Sequence, residues 1–185
     1  MVTNWLIDDL QEAWQLATKM HDGQKYGGAN QGEQIEYINH IGSVVFEVLA
    51  ATGVDQEMNA DLAVKCALLH DTLEDTSLTY DEIVRRFGKS VADGVQALTK
   101  RNDIADKSAK MTDSLTRIKQ QPKAVWAVKM ADRICNLYAP PFYWSTDKKR
   151  EYAKEAQLIH NELKAGSQYL ADRLAKKIRD YERFM

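Results

Sequence analysis

Apolar residues recur along this chain at intervals of three and four rather than two, and proline is absent from its first 121 residues, a pattern that predicts helices almost throughout. The first helix is expected from about Asn4 to His21, with Leu6, Leu10, Ala13, Trp14, Ala17 and His21 on one face and Gly23 as its stop. Four of the nine glycines then fall at 23, 27, 28 and 32 among Asn and Gln, which predicts an open loop over 22–36 of the kind that often borders a ligand site. A second helix is expected from Ile38 to Ala51, ending at Gly53, and a third from Asn59 to about Leu73 through LAVKCALLH, apolar enough to be central.

Thr79 and Glu82 have the spacing of a capping box, the turn DEIVRRF runs to Gly88, and Ser90 is positioned to cap VADGVQALT. The charged stretch from Lys100 to Lys110 reads as a mobile connection before a helix from Ser108 to Gln120. Pro122 suits the first turn of KAVWAVKMADRICNLYA, which closes at Pro140 and Pro141. The final helix is expected from Asp147 to about Phe184, with a bend at Gly166.

Composition narrows the function. A chain of 185 residues suits one domain, which at this size buries roughly 70% of its unfolded surface. A net charge of -2 and a pI near 6.1 leave no basic surplus for a nucleic acid polymer, although a small phosphorylated ligand stays open. Cys66 and Cys135 are too few for a cysteine zinc ribbon and lie in apolar runs, which predicts reduced thiols. The acidic start MVTNWLIDDLQEAW lacks the basic and apolar regions of a signal peptide, and no stretch approaches a membrane span, so the expected location is cytoplasmic.

The chemistry concentrates in two blocks. In ALLHDTLEDT, His70 and Asp71 precede Glu74 and Asp75 by four residues, so a continuous helix would stack the two polar pairs one turn apart. Ionisable groups closing an apolar helix are costly unless something binds them, and imidazole with carboxylate suits divalent Mn, Fe, Co, Ni or Zn. In KMADRICN, Lys129, Asp132, Arg133 and Asn136 follow at helical spacings, and His40 opens the second helix within EYINH. His40, His70, Asp71 and Asp132 together offer two imidazoles and two carboxylates, leaving positions on a six-coordinate ion for water and substrate. A second Ala-Asp-Arg, at 171–173, reads as a solvated helix face, and His21 and His160, without acidic company, read as structural or surface residues.

HDTLEDT, then TYDEIVRRFGKSVADGVQALTK, then AVKMADRICNL resemble, in that order and over roughly residues 10–165, the HD-domain metal-dependent phosphohydrolases. Within them the likeness is to the hydrolase domain of RelA/SpoT proteins and its small stand-alone relatives, which remove pyrophosphate from the 3′ position of (p)ppGpp. The resemblance implies an all-α HD-domain helical bundle, here a single domain over 1–185 with 147–185 as a long C-terminal helix packed on it. It implies that His40, His70, Asp71 and Asp132 hold one metal ion, with Mn²⁺ the usual one, and that Glu74 and Asp75 activate and orient the attacking water. Asn136 and Tyr152 then match positions beside the nucleotide sugar.

The departures fall on the substrate side. Where the family carries a basic pair against guanine and then Gly-x-Pro-Tyr, this chain has Lys25, Tyr26 and Gly27, an insertion, and Glu36 before the tyrosine; Ile41 replaces the proline after the histidine. Tyr26 can stack on a purine but offers no positive charge. Lys25, Lys100, Arg101, Lys107 and Lys129 are the candidate phosphate contacts. The expected function is a (p)ppGpp 3′-pyrophosphohydrolase acting on a small nucleotide. The alternatives are hydrolysis of another nucleotide phosphoester, such as a nucleoside monophosphate, or a metal- or nucleotide-binding sensor without turnover. The sequence leaves open whether the C-terminal segment packs only on the core or also on a second copy in a homo-oligomer.

Overall fold

The computed structural model describes residues 7–185; Asn4 and Leu6 of the expected first helix lie outside them. The helices are α1 (Ile7–Met20), α2 (Ile38–Val54), α3 (Ala60–Leu69), the single turn α4 (Thr72–Asp75), α5 (Tyr80–Phe87), α6 (Lys89–Leu98), α7 (Lys107–Lys119), α8 (Lys123–Asn136), α9 (Thr146–Leu163) and α10 (Gln168–Tyr181). The fold is all-α with one small hairpin, β1 (Lys25–Gly27) and β2 (Gln34–Glu36). No helix among the described residues is long and apolar enough to cross a membrane.

The centre follows from composition. α3 is buried almost all round, as is α8 along most of its length, the signature of helices surrounded by others rather than facing water on one side. α2, α3 and α8 pack on one another, α1 and α6 cover α3, and α9 and α10 pack on α8 and on each other. Side-chain caps fix the starts: Asn59 for α3, Thr79 with Glu82 for α5, Asp106 for α7, Ser145 for α9 and Ser167 for α10. Cys66 and Cys135 are both free thiols, one buried and the other partly so.

Several expectations are corrected. The glycine-rich loop closes as an antiparallel hairpin in which Tyr26 pairs with Ile35 and Lys25 with Glu36. α2 runs through Gly53 to Val54, α8 stops at Asn136, and Pro122 stands just ahead of its first turn. Ser90 lies inside α6; Gly88, at φ 86°, joins α5 to α6 in a backbone region that favours glycine. The single C-terminal helix is two, because Ser167 caps a fresh helix and the turn at Gly166 lies so close to α8 that a Cβ there would stand 2.7 Å from Trp126 Cβ.

The third helix also breaks, at its chemical end. α3 ends at Leu69, and α4 begins two residues past His70. The carbonyls freed there are taken by side chains: His70 Nδ1 donates to Ala67 O at 2.8 Å and Thr72 Oγ1 to Leu69 O at 2.7 Å. The break turns the Glu74 N–H to the Asp71 carbonyl at 3.2 Å, whereas the Asp75 N–H still bonds the Asp71 carbonyl at 2.9 Å, so Asp71 keeps its expected place one turn before Asp75.

Candidate metal centre and catalytic cleft

Three segments deliver the site: the first turn of α2 brings His40, the break after α3 brings His70 and Asp71, and the middle of α8 brings Asp132. Because the Ala67 carbonyl can only accept, His70 Nδ1 carries the proton and Nε2 faces the site. That nitrogen stands 3.3 Å from His40 Nε2 and 3.0 Å from Asp71 Oδ2. His40 Nε2 is 3.7 Å from Asp71 Oδ2 and 3.5 Å from Asp132 Oδ1. Donor atoms of His40, His70 and Asp132 lie within 4.8 Å of one another. Two imidazole nitrogens and two carboxylates aimed at one small volume suit a borderline divalent cation.

The electrostatics carry the same demand for positive charge. Burial alone would lower the basicity of His70, but Asp71 and Asp132 outweigh it and push its pKa up to about 9. Burial likewise opposes ionisation of Asp71 and Asp132; His70 beside the first, and Lys129 with the two histidines beside the second, hold both carboxyls below the ordinary range. A proton on His70 or a divalent ion can supply the charge, so binding the ion displaces that proton.

The ligating carboxylates are themselves held. Tyr37 Oη donates to Asp71 Oδ2 at 2.7 Å and lies 3.4 Å from Asp75 Oδ2. Lys129 Nζ donates to Asp132 Oδ2 at 3.0 Å and Asn136 Nδ2 to Asp132 Oδ1 at 2.5 Å. Glu74 Oε2 accepts the Lys100 backbone N–H at 2.9 Å. Burial, with Asp71 and Glu74 close by, pushes the Asp75 carboxyl above the ordinary range, toward a group that can take up a proton.

These residues line a cleft of about 180 Å³. His40, His70, Asp71 and Asp132 meet there with Glu74, Asp75, Asn136, Lys129 and Tyr152, the first set expected to coordinate and the second to handle water or substrate. Lys25 and Tyr26 are not in the lining. The Lys25 ammonium pairs with Glu36 across the hairpin at 2.8 Å, and Tyr26 Oη accepts from Asn39 while its ring meets Tyr37 edge-on at 6.3 Å. Arg101 is spent on Asp103, and His21, set aside as structural, is buried and stacks on Tyr37 at 5.0 Å.

Tyr37 and Glu155 were not singled out by the sequence yet line the cleft, together with Arg133, which the spacing in KMADRICN named without a role. Tyr37 carried a usable signal, since it stands three residues before His40, the spacing that places two side chains on one helix face. Arg133 lies over the Tyr152 ring at 4.0 Å and bonds Glu155 at 3.3 Å; a partner 22 positions away leaves no local trace.

An all-helical bundle that converges two histidines and two aspartates at a helix break defines a helical metal-site protein. The family model described as the HD domain matches residues 13–168, and the chain belongs to that family. It is 34% identical over 155 residues to a guanosine-3′,5′-bis(diphosphate) 3′-pyrophosphohydrolase of Aquifex aeolicus, covering 83% of this chain and 20% of that one. It is 30% identical over 172 residues to the guanosine-3′,5′-bis(diphosphate) 3′-pyrophosphohydrolase MESH1 of Danio rerio, covering 89% of each. With the bifunctional (p)ppGpp synthase/hydrolase SpoT of Escherichia coli it shares 32% identity, over 85% of this chain and 21% of that protein. The chain thus spans about a fifth of the Aquifex and Escherichia proteins and most of the Danio one. A solved structure, described as a metazoan ortholog of SpoT that hydrolyzes ppGpp, superposes with a TM-score of 0.79 at 20% identity, covering 96% of this chain and 97% of that one, and shares the fold.

Proposed function

We propose that this chain is a metal-dependent phosphohydrolase that releases pyrophosphate from the 3′ position of a (p)ppGpp-type nucleotide. The observation that carries the reading is the meeting of His40, His70 and Asp132 donor atoms within 4.8 Å, with Glu74 and Asp75 on the adjoining turn of the same cleft. The names of the Aquifex and Danio relatives support the substrate.

His40, His70, Asp71 and Asp132 would hold one divalent ion, with Mn²⁺ the choice. When bound, such an ion lowers the pKa of water and neutralises phosphoryl charge. Asp75, with its raised pKa, takes a proton from the attacking water, and Glu74, fixed by the Lys100 N–H, orients that water. A P–O bond forms to the water oxygen, the bond to the ribose 3′ oxygen breaks, and the 3′ hydroxyl leaves with a proton. Lys100 and Lys129 bring positive charge to the phosphates, and Tyr152 and Asn136 sit on the sugar side. The chain acts as one domain in a reducing cytoplasm, in keeping with its two free thiols.

A second reading, hydrolysis of another nucleotide phosphoester, draws on the hairpin, where the Lys25 ammonium is already paired with Glu36. The test is pyrophosphate and orthophosphate release measured separately with Mn²⁺ for the parent, Asp71→Ala and Glu74→Ala. Loss of pyrophosphate release in both folded variants is expected; parent-like activity in both would reject the site, and orthophosphate from a nucleoside monophosphate would favour the second reading.

A further inference from the structure

Glu74 is held by a segment remote in sequence. The Lys100 N–H donates to its Oε2 at 2.9 Å, and the Lys100 ammonium stands 3.5 Å from Oε1. Lys100 lies just past α6, whose last carbonyls have no partners within the helix. Those carbonyls are gathered by Arg117 of α7: Nη1 donates to Gln96 O at 2.8 Å and Ala97 O at 3.0 Å, Nη2 to Thr99 O at 2.8 Å, and Nε is anchored on Asp113 Oδ2 at 2.8 Å.

The Thr99 carbonyl and the Lys100 N–H belong to one peptide unit, which is planar and stiff. Arg117 therefore grips one end of the unit whose other end grips Glu74, and a carbonyl that accepts a charged donor makes its own N–H a stronger donor. A cation at the α6 C-terminus is also favoured by the helix dipole. Arg117 is not part of the cleft lining, so its influence on the site runs through this peptide.

We propose that Arg117 is a positioning residue that sets the Glu74 carboxylate through the Thr99–Lys100 peptide unit. Its effect on turnover rests on Glu74 being the water-orienting acid; its effect on geometry does not. A lysine offers one compact ammonium where the planar guanidinium serves four acceptors, so Arg117→Lys should act in the same direction as Arg117→Gln, less severely.

The test follows the Lys100 amide proton by ¹H–¹⁵N spectroscopy and, on the same proteins, pyrophosphate release from ppGpp with saturating Mn²⁺. The Lys100 resonance is expected to move upfield in Glu74→Gln, Arg117→Gln and Arg117→Lys. In Arg117→Gln, kcat is expected to fall about tenfold with KM changed less than about twofold, the split that a displaced catalytic group produces. Arg86→Gln, which breaks the exposed pair with Glu12, should leave both readouts at parent values. An unmoved Lys100 resonance in a folded Arg117 variant overturns the proposal, as does a moved resonance with parent kcat. If Arg117→Gln does not fold, Arg117→Lys decides on the same readouts. A parent that releases no pyrophosphate rejects the function, and the resonance alone then decides the relay.

Discussion

Replacing Tyr37 with phenylalanine removes one oxygen atom and should weaken metal binding without disturbing the fold. The hydroxyl donates to Asp71 Oδ2 at 2.7 Å. Burial and the adjacent Asp71 hold its pKa well above the ordinary tyrosine range, so it stays a donor across the working pH range. A hydrogen bond to a charged group contributes about 1.5–3 kcal/mol. Partners that orient a ligating carboxylate typically govern metal affinity by about 10- to 100-fold, or about 1.4–2.8 kcal/mol, so the two routes agree. Phenylalanine keeps the ring that stacks on His21 at 5.0 Å and meets His40 at 5.6 Å. The stripped protein should still fold, with its melting temperature lowered by about 3–12 °C, the shift that losing about 1.5–3 kcal/mol produces at this size. Titration of chelator-stripped parent and Tyr37→Phe with Mn²⁺ in a calorimeter reads the affinity directly. Equal affinities would refute the reasoning, because they would mean that the Tyr37–Asp71 bond does not orient a ligand.

Asp75→Asn should lower kcat by about 10²–10⁴-fold, the range for losing a proton-handling group, while Mn²⁺ affinity stays near the parent value because Asp75 is not one of the four residues proposed to hold the ion; a parent-like kcat would remove Asp75 from the mechanism. Adding Mn²⁺ to stripped protein at about 100 times its Kd should stabilise the fold by about 2.7 kcal/mol, read as a rise of about 5–11 °C in Tm; an unchanged Tm would contradict a buried ligand set. Gly94→Ala places a Cβ 2.6 Å from Cys66 Sγ and 3.0 Å from Val125 Cγ2. The overpacking, offset in part by better helix propensity, should cost about 1 kcal/mol and leave kcat intact, as a thermal melt alongside an activity assay would check.

The helices were legible because their stripes of Leu, Ile, Val and Ala repeat at three and four, and α3 announced its central place through the apolar run LAVKCALLH, whereas α8, equally buried, hid it behind Lys129, Asp132 and Arg133. The hairpin was not legible. Its strands are three residues each, KYG and QIE, too short and too polar to show alternation, and its closure rests on the Gly28 N–H to the Glu33 carbonyl and on Lys25 with Glu36. The break at His70 was hidden for a related reason. Periodicity runs unbroken through CALLHDTLED, and only the bonds from His70 and Thr72 to the α3 carbonyls end the helix there. Residue chemistry nevertheless named side chains that the structure gathers in one cleft, since His40, His70, Asp71 and Asp132 are polar groups in apolar settings that need a common counter-charge. Lys25 and Tyr26 fall outside the cleft lining because their partners, Glu36 and Asn39, lie across the hairpin and in the first turn of α2, a pairing visible only in three dimensions.

The central claim, a single divalent ion held by His40, His70, Asp71 and Asp132 and used to cut a 3′-pyrophosphate, is tested most directly by one preparation read in two ways. Protein reconstituted with Mn²⁺ and desalted is analysed for metal content and then given ppGpp, with GDP, pyrophosphate and orthophosphate resolved by chromatography. The account predicts one Mn²⁺ per chain and equal amounts of GDP and pyrophosphate. Protein that retains no metal, or that retains it and forms no pyrophosphate, would contradict it.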